Sequence, residues 1–447
     1  MGYNFLKIEE PEDIGQIKAY TSNIFKIHAR IEKTVDQILR DIRSGGDRAA
    51  LKYSKKFDYS GAKSIDDIKV KQEEIKSSAA EVRKKFPRLV EALEVSCENI
   101  KKYHAAQFEK REGTWIIRPG KGKKVGQITI PLERVGVYIP GGRYIYPSSV
   151  LMTVIPAVIA RVKEIVICTP PGPDGSLSKV LLYLCDKFRV KEIYKIGGAQ
   201  AIAALAYGTQ SIKRVDKIVG PGNIYVTAAK KKVFGDVAVD SLAGPSDIAI
   251  MADESSRSDF IAADLISQAE HDPGSRSILL TNSMELAKET VESIYRHLDL
   301  LTSEYGNEVN MSVILKSLKK NCKIICHPEE EMLINICNII APEHLEIMVK
   351  DTQRILRKIK NAGAIFVGEY SPVAVGDYIG GTNHVIPTNG NARFSSPLGI
   401  TDFLKKSSLT AYNKSALRKE RKFIEAISEF EKLFSHSESI KVRFKKK

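Results

Sequence analysis

The sequence predicts an α/β protein built on two Rossmann-like parallel-sheet domains, one inserted in the other, with an N-terminal arm and a helical C-terminal tail. Three observations carry this reading. From Arg134 onward, short β-branched runs alternate with helical patterns, the signature of parallel strands joined by right-handed crossovers. Four of these runs end in Gly/Pro turns that open directly into a helix. A second series of the same units begins near Ser246.

Taken in order, residues 1–30 read as an extended arm with a little helix. The stretch IEKTVDQILRDIRSGG has helical periodicity and is expected to stop at Gly45 and Gly46. A long helix is expected from about Ala79 to His104, and the basic, glycine-punctuated segment RPGKGKKVGQITIP has strand character. The first strand–helix series is RVGVYIPGG with a helix at Pro147–Arg161, EIVICTPPG with Leu177–Phe188, EIYKIGG with AQAIAALAYG, and KIVGPGN with IYVTAAKKKVFG. Strand ends of this kind, feeding helix N-termini, are where open α/β sheets bind ligands. The dinucleotide fingerprint GxGxxG is absent, so these turns indicate a nucleotide-sized ligand and nothing finer.

The second series runs through SDIAIMAD, SILLTN, KIICHP, the stretch IAPEHLEIM at Ile340–Met348, and AGAIFVG. A polar stretch at Leu301–Lys320 is partly helical. The long Gly/Pro/Asn-rich loop Glu369–Phe394 has the length of a functional loop. A last helix spans about Ser415–Phe434. The expected domains are an arm at 1–30, a first α/β domain from 31–137 and 246–398, a second from 138–245, and a tail at 399–447.

Composition excludes several classes. No run of about 18 apolar residues is present, so no membrane span is expected. The N-terminus lacks a secretory pattern and a myristoylation motif. Six cysteines without a CxxC pair read as reduced thiols, which with the missing leader points to the cytoplasm. Cys322, Cys326 and His327 lie close together, but a short strand with no second ligand pair is a poor metal site. The net charge of +15 invites nucleic acid. The lysines are instead spread along the chain and interleaved with acids, with only Lys441–Lys447 dense, so nucleic acid is not the expected partner.

Some polar residues stand out. Glu343 and His344 are adjacent at the mouth of an apolar run, either as a proton-transfer pair or as an ordinary helix start or surface pair. Gln268 and His271 share one helix face, either as metal ligands or as capping and hydrogen-bonding groups. Asp377 and His384 lie in GDYIGGTNH, as a polar site or a loop-stabilising network. His436, with Glu431 five residues earlier, reads as a functional or a surface histidine.

The strings RVGVYIPGG, GGAQAIAALAYGT, VGPGN, AGPSD, SQAEHDP, APEHLE, GDYIGGTNHVIPT and ARFSSPLGITDF together resemble the histidinol dehydrogenase family. The resemblance runs from about residue 30 and is strongest between Arg134 and Lys405. It implies NAD-dependent, two-step oxidation of L-histidinol through the aldehyde to L-histidine, with one zinc ion per subunit. It further implies metal ligands Gln268, His271, Asp377 and His436, and substrate contacts from these four, Ser246, His344, His384 and Glu431. Tyr138, Gln200 and Asn223 would bind NAD, and Glu343 and His344 would be catalytic. His436 and Glu431 would reach a partner subunit's site, making a homodimer with shared sites. Rival readings are a related zinc/NAD dehydrogenase of another amino alcohol, which should alter Ser246, His384 or Glu431, and a nucleic-acid-binding relative, which should lose the Glu–His pair or a ligand. The high charge, the lysine-rich Leu301–Lys320 and the short KKK terminus depart from the family pattern without touching a matched site residue.

Overall fold

The computed structural model describes residues 5–12, 27–111, 113–141 and 146–445. The chain opens with β1 (Ile8–Glu9) and three helices, α1 (Ala29–Phe57), α2 (Gln72–Lys85) and α3 (Pro87–Arg111). A hairpin of β2 (Trp115–Gly120) and β3 (Lys123–Pro131) follows. Then come β4 (Arg134–Tyr138), α4 (Pro147–Ile159), β5 (Glu164–Thr169), α5 (Lys179–Lys187), β6 (Glu192–Lys195), α6 (Gly198–Tyr207), β7 (Lys217–Val219), α7 (Ile224–Val233) and β8 (Ala238–Val239). The second series is β9 (Asp247–Ala252), α8 (Ser258–His271), β10 (Arg276–Thr281), α9 (Met284–Tyr305), α10 (Met311–Asn321), β11 (Cys322–Cys326), α11 (Glu330–Ile340), β12 (His344–Met348), α12 (Thr352–Leu356), β13 (Ala364–Val367) and α13 (Val373–Tyr378). The chain closes with β14 (Leu404–Tyr412), α14 (Lys414–Phe430) and α15 (Phe434–Lys441). Residues 1–4 and 13–26 of the expected N-terminal arm lie outside the described residues, and its last two, Ala29 and Arg30, already belong to α1.

Two parallel sheets result. One has the order β6-β5-β4-β7-β8 and the other β1-β11-β10-β9-β12-β13. In each, the first strand of the series is central and the order reverses beside it, between β4 and β7 and between β9 and β12. Such a reversal leaves a crevice at the strand ends. A third, antiparallel sheet of β14-β3-β2 ties the C-terminal segment to the hairpin.

Domain membership differs from the expectation. The helices of residues 31–111 pack mainly on the five-stranded sheet, although Val385 and Leu398 join the core of α2 and α3. Val35, Ile38, Leu39 and Ile42 of α1 pack into one core with Ile202, Leu205 and Val226, while Ile75, Val82, Cys97 and Ile100 of α2 and α3 pack into another with Val135, Val137 and Val150. These helices therefore cover both faces of the five-stranded sheet. The expected boundary at 137/138 falls within β4, whose five residues are all buried. Alternating patterns reveal strands, but which sheet an amphipathic helix covers is set by partners far away in sequence. The tail is also not separate at residue 399, since β14 pairs with β3 along its whole length.

Two helix limits also differ. Gly46 does turn the chain (φ 51°, ψ −132°), yet the helix resumes and continues to Phe57. Asp47 N donates to Gln210 Oε1 at 2.8 Å, which anchors the restart. The helix expected at Ala79–His104 is two helices, because Pro87 has no N–H to continue α2 and instead begins α3.

Candidate active site

The site forms where the leading edge of the six-stranded sheet meets the trailing edge of the five-stranded one. Helix α11 ends with Ala341 in the left-handed region (φ 50°), its N–H bonded to Cys337 O at 2.9 Å. Pro342 then prevents helix continuation, and Glu343 and His344 emerge at the start of β12. Gly363 lies against this turn, where a Cβ would stand 2.6 Å from Glu343 O. Both members of the pair are buried, so the surface alternative does not hold.

Asp247, at the start of neighbouring β9, organises the pair. Glu343 N donates to Asp247 Oδ1 at 2.6 Å, and Asp247 N donates to Glu343 Oε2 at 3.0 Å. Arg276 pairs with Asp247 and offsets its buried charge. His344 Nδ1 bonds the Asp247 carbonyl oxygen at 3.0 Å. A carbonyl only accepts, so Nδ1 carries the hydrogen and Nε2 keeps the free lone pair. Burial pushes the Glu343 carboxyl well above the usual carboxylate range, reinforced by the charge of Asp247. Burial pushes the His344 imidazole below its ordinary value, against an opposing pull from Asp377.

Helix α8 carries Asp264, Gln268 and His271 at helical spacing, on one face. Gln268 is buried and its Nε2 donates to Ser246 Oγ at 2.7 Å. Glu346, two residues beyond His344 on the same face of β12, accepts from Val373 N at 2.9 Å and so caps α13, the helix bearing Asp377. Asp264 of α8 lies near it; burial and the other carboxylate push Glu346 up to about 9, and burial pushes Asp264 up to about 6. This buried acid pair links three elements that supply Gln268, His271, His344 and Asp377.

A cavity of about 540 Å³ collects Ser246, His271, Glu343, His344, Asp377 and His384, with Pro140, Pro221 and Asn223 contributed from the five-stranded sheet. Burial lowers the pKa of His271 and of His384, and Asp377 opposes the shift at both. Asp377 therefore acts electrostatically on three histidines at once. Asn383, beside His384, is anchored by donation to Met152 O at 2.7 Å and by acceptance from Val385 N at 2.8 Å.

A second cavity of about 450 Å³ lies at the reversal between β4 and β7 and is lined by Tyr138, Gln200 and Asn223 together with Asp58, Gly198 and Pro170. Asn223 caps α7, accepting from Tyr225 N at 3.0 Å and Val226 N at 3.2 Å, and it lines both cavities. The turn before it requires glycine: Gly220 has φ 109°, and a Cβ there would lie 2.1 Å from Tyr138 O. Lys230 donates to Gly220 O at 2.5 Å and to Asp240 Oδ1 at 2.6 Å, while Gly220 N donates to Asp240 Oδ2 at 2.7 Å. A buried ion pair thus holds both polar groups of one glycine.

The sequence model of the family described as histidinol dehydrogenase matches residues 24–444. The chain belongs to the histidinol dehydrogenase family. It is 45% identical over 420 residues to the histidinol dehydrogenase of Clostridium acetobutylicum, covering 94% of each chain. It is 45% identical over 411 residues to that of Bacillus subtilis, covering 92% of each. The crystal structure of histidinol dehydrogenase from Elizabethkingia anophelis superposes with a TM-score of 0.90 at 35% identity, covering 99% of both chains.

Within this histidinol dehydrogenase fold, the expected site residues divide into three groups. Ser246, His271, Glu343, His344, Asp377 and His384 share the larger cavity, with Gln268 bonded to Ser246 behind its wall. Tyr138, Gln200 and Asn223 share the smaller one. Glu431 and His436 are exposed on the tail and line neither. Sequence reasoning missed Asp58, Asp247, Asp264 and Glu346. Glu346 did leave a trace: an acidic residue within the buried run HLEIM needs a partner.

Proposed function

We propose that this chain catalyses the NAD-dependent, four-electron oxidation of L-histidinol through L-histidinaldehyde to L-histidine, the last step of histidine biosynthesis, in the cytoplasm. The observation that carries the reading is the convergence of Glu343, His344, His271, Asp377 and His384 on one cavity whose wall, at Asn223, is shared with that of Tyr138 and Gln200.

The donor chemistry fits zinc. His271 favours the neutral, ligating imidazole; Asp377 offers a carboxylate; and Gln268, its amide nitrogen engaged by Ser246, keeps its amide oxygen. Gln268, His271 and Asp377 would hold the ion with His436 of a second copy, and zinc would supply a Lewis-acidic anchor for the substrate's amine and imidazole. Ser246, His384 and the second copy's Glu431 orient the substrate. Tyr138, Gln200 and Asn223 position NAD, two molecules of which, bound in succession, would each accept one hydride.

His344 Nε2 takes the hydroxyl proton as the first hydride leaves the same carbon, giving the aldehyde. Glu343, in its ionised form, takes a proton from the water that adds to the aldehyde, while His344 returns the proton it holds to the aldehyde oxygen and is neutral again. His344 then takes the hydrate's hydroxyl proton as the second hydride leaves, yielding the carboxylate. Retaining the aldehyde between steps keeps it from side reactions.

The shared-site homodimer is supported by the tail. Helix α14 buries only Ala416 and Ser428 and leaves Phe423, Ile427 and Phe430 exposed, next to exposed Phe434. Apolar surface of this extent marks an interaction site.

The deciding experiment counts NADH formed per histidinol consumed, with and without a chelator. Two NADH per histidinol, loss of activity on chelation and recovery with zinc are expected. A ratio of one, or indifference to chelation, would overturn the reading.

A further inference from the structure

The chain from Asp377 to His384 is short, and one side of α3 grips it at alternate residues. Asn99 Nδ2 donates to Ile379 O at 2.8 Å, at the C-terminal end of α13. Gly381 follows with φ 90°, and a Cβ there would lie 2.6 Å from Asn99 O, so glycine is what lets the loop approach the helix this closely. Asn383 comes next, its Nδ2 3.5 Å from His104 Nε2, a long hydrogen bond. The chemistry of that contact is fixed from both sides. Asn383 Oδ1 accepts from Val385 N and its Nδ2 also donates to Met152 O, which sets the orientation of the amide. On the other side, His104 Nδ1 bonds Gln107 Oε1 at 2.9 Å, and the same Oε1 accepts from Ile400 N at 3.3 Å. An amide oxygen only accepts, so Nδ1 carries the hydrogen and Nε2 offers Asn383 its lone pair. His104 is completely buried, and burial holds its imidazole below the ordinary value, which keeps the ring neutral.

Resting on the reading of His384 as a substrate-orienting group, we infer that His104 and Asn99 are positioning residues, which hold this loop on α3 so that His384 meets the substrate in the reaction cavity. Tyr378 and His384 line that cavity, while Ile379, Gly381 and Asn383 between them are the residues in contact with α3. Neither Asn99 nor His104 lines the cavity, so each acts through the loop. Helix α3 shares a core with Val135 and Val137 of the five-stranded sheet, whereas α13, which carries Asp377, is capped by Glu346 of the six-stranded one. The grip of α3 therefore registers the substrate-side loop on the sheet that bears the smaller cavity. A shift of His384 weakens a contact made in the ground state and the transition state alike, which raises KM rather than lowering kcat.

Steady-state kinetics of the full-length protein, with zinc supplied, reads this as a split between KM and kcat. His104→Asn keeps a polar group where Nδ1 stands but none where Nε2 stands. It should raise KM for histidinol by about tenfold, with kcat within about threefold and KM for NAD unchanged. His104→Gln returns an amide oxygen to the Nε2 position and should recover most of that loss. Asn99→Ala, at the half-buried edge of the same face, should raise the same KM by about threefold at unchanged Tm. Loss of folded enzyme alone lowers kcat and leaves both KM values where they were. That pattern in the variants, or an equal KM in His104→Asn and His104→Gln, overturns the assignment. Should His104 tolerate no substitution, an unchanged KM in Asn99→Ala overturns it by itself. Failure of the unmodified protein to oxidise histidinol would instead sink the proposed function.

Discussion

His344 Nδ1 and the backbone carbonyl of Asp247 are joined at 3.0 Å, between the first residues of two adjacent parallel strands. The register of β12 against β9 sets this contact, pairing His344 with Ile248. The same Asp247 exchanges two backbone–carboxylate bonds with Glu343. One buried aspartate therefore fixes the tautomer of the proposed base and the orientation of its acidic neighbour.

His344→Asn should lower kcat for both oxidations by about 10²–10⁴-fold with little change in substrate affinity. Because burial depresses the His344 pKa and only the neutral ring accepts a proton, the acid limb of kcat/KM should lie below the ordinary imidazole value of about 6.5. A pH–rate profile measures it. An acid limb above pH 7 would contradict the assignment.

Glu343→Gln should separate the two oxidations. The first needs no water and should persist, while the second should slow by about 10²-fold or more. NADH per histidinol would then fall from two towards one, and a carbonyl-trapping reagent would capture aldehyde. Retention of the full ratio at normal rate would remove Glu343 from the water-using step.

Mixing a Gln268→Ala chain with a His436→Ala chain should restore part of the activity that each lacks alone. One site of each mixed dimer would draw intact ligands from both subunits. Absence of rescue after confirmed mixing would rule out the shared site.

Glu346→Gln should flatten the dependence of stability on pH. The folded chain holds the Glu346 proton up to about pH 9, whereas the unfolded chain releases it near the ordinary carboxylate value. The contribution is complete below the unfolded pKa and is lost as pH rises through the folded one. The variant should therefore lose less unfolding free energy between pH 6 and 9, by an amount on the order of 1–3 kcal/mol, read from denaturant unfolding at each pH. An identical slope in the two proteins would show that Glu346 ionises freely.

Lys230→Met should destabilise the chain by about 3–5 kcal/mol, since it strands buried Asp240 and frees the Gly220 carbonyl. NAD affinity should fall with it, because Gly220 to Asn223 forms the wall between the cavities. Denaturant unfolding and calorimetry measure the two effects. A loss below about 1 kcal/mol would mean that Asp240 finds another partner.

By itself the sequence determined the alternation of strands and helices, the existence of two parallel sheets and the membership of the family. These are local or patterned properties: β-branched runs, Gly/Pro turns such as Gly220-Pro221-Gly222, and whole motifs such as APEHLE. It also singled out Glu343, His344, His271, Asp377 and His384. Only the tertiary structure decided that these five share a cavity, that α1, α2 and α3 cover the five-stranded sheet, and that Asp247, Asp58 and Glu346 stand behind the visible residues. Each of those facts is a contact between segments tens to hundreds of residues apart. Local pattern has no access to such a pairing, because it depends on which apolar faces bury against each other and on which polar atoms are left there needing partners.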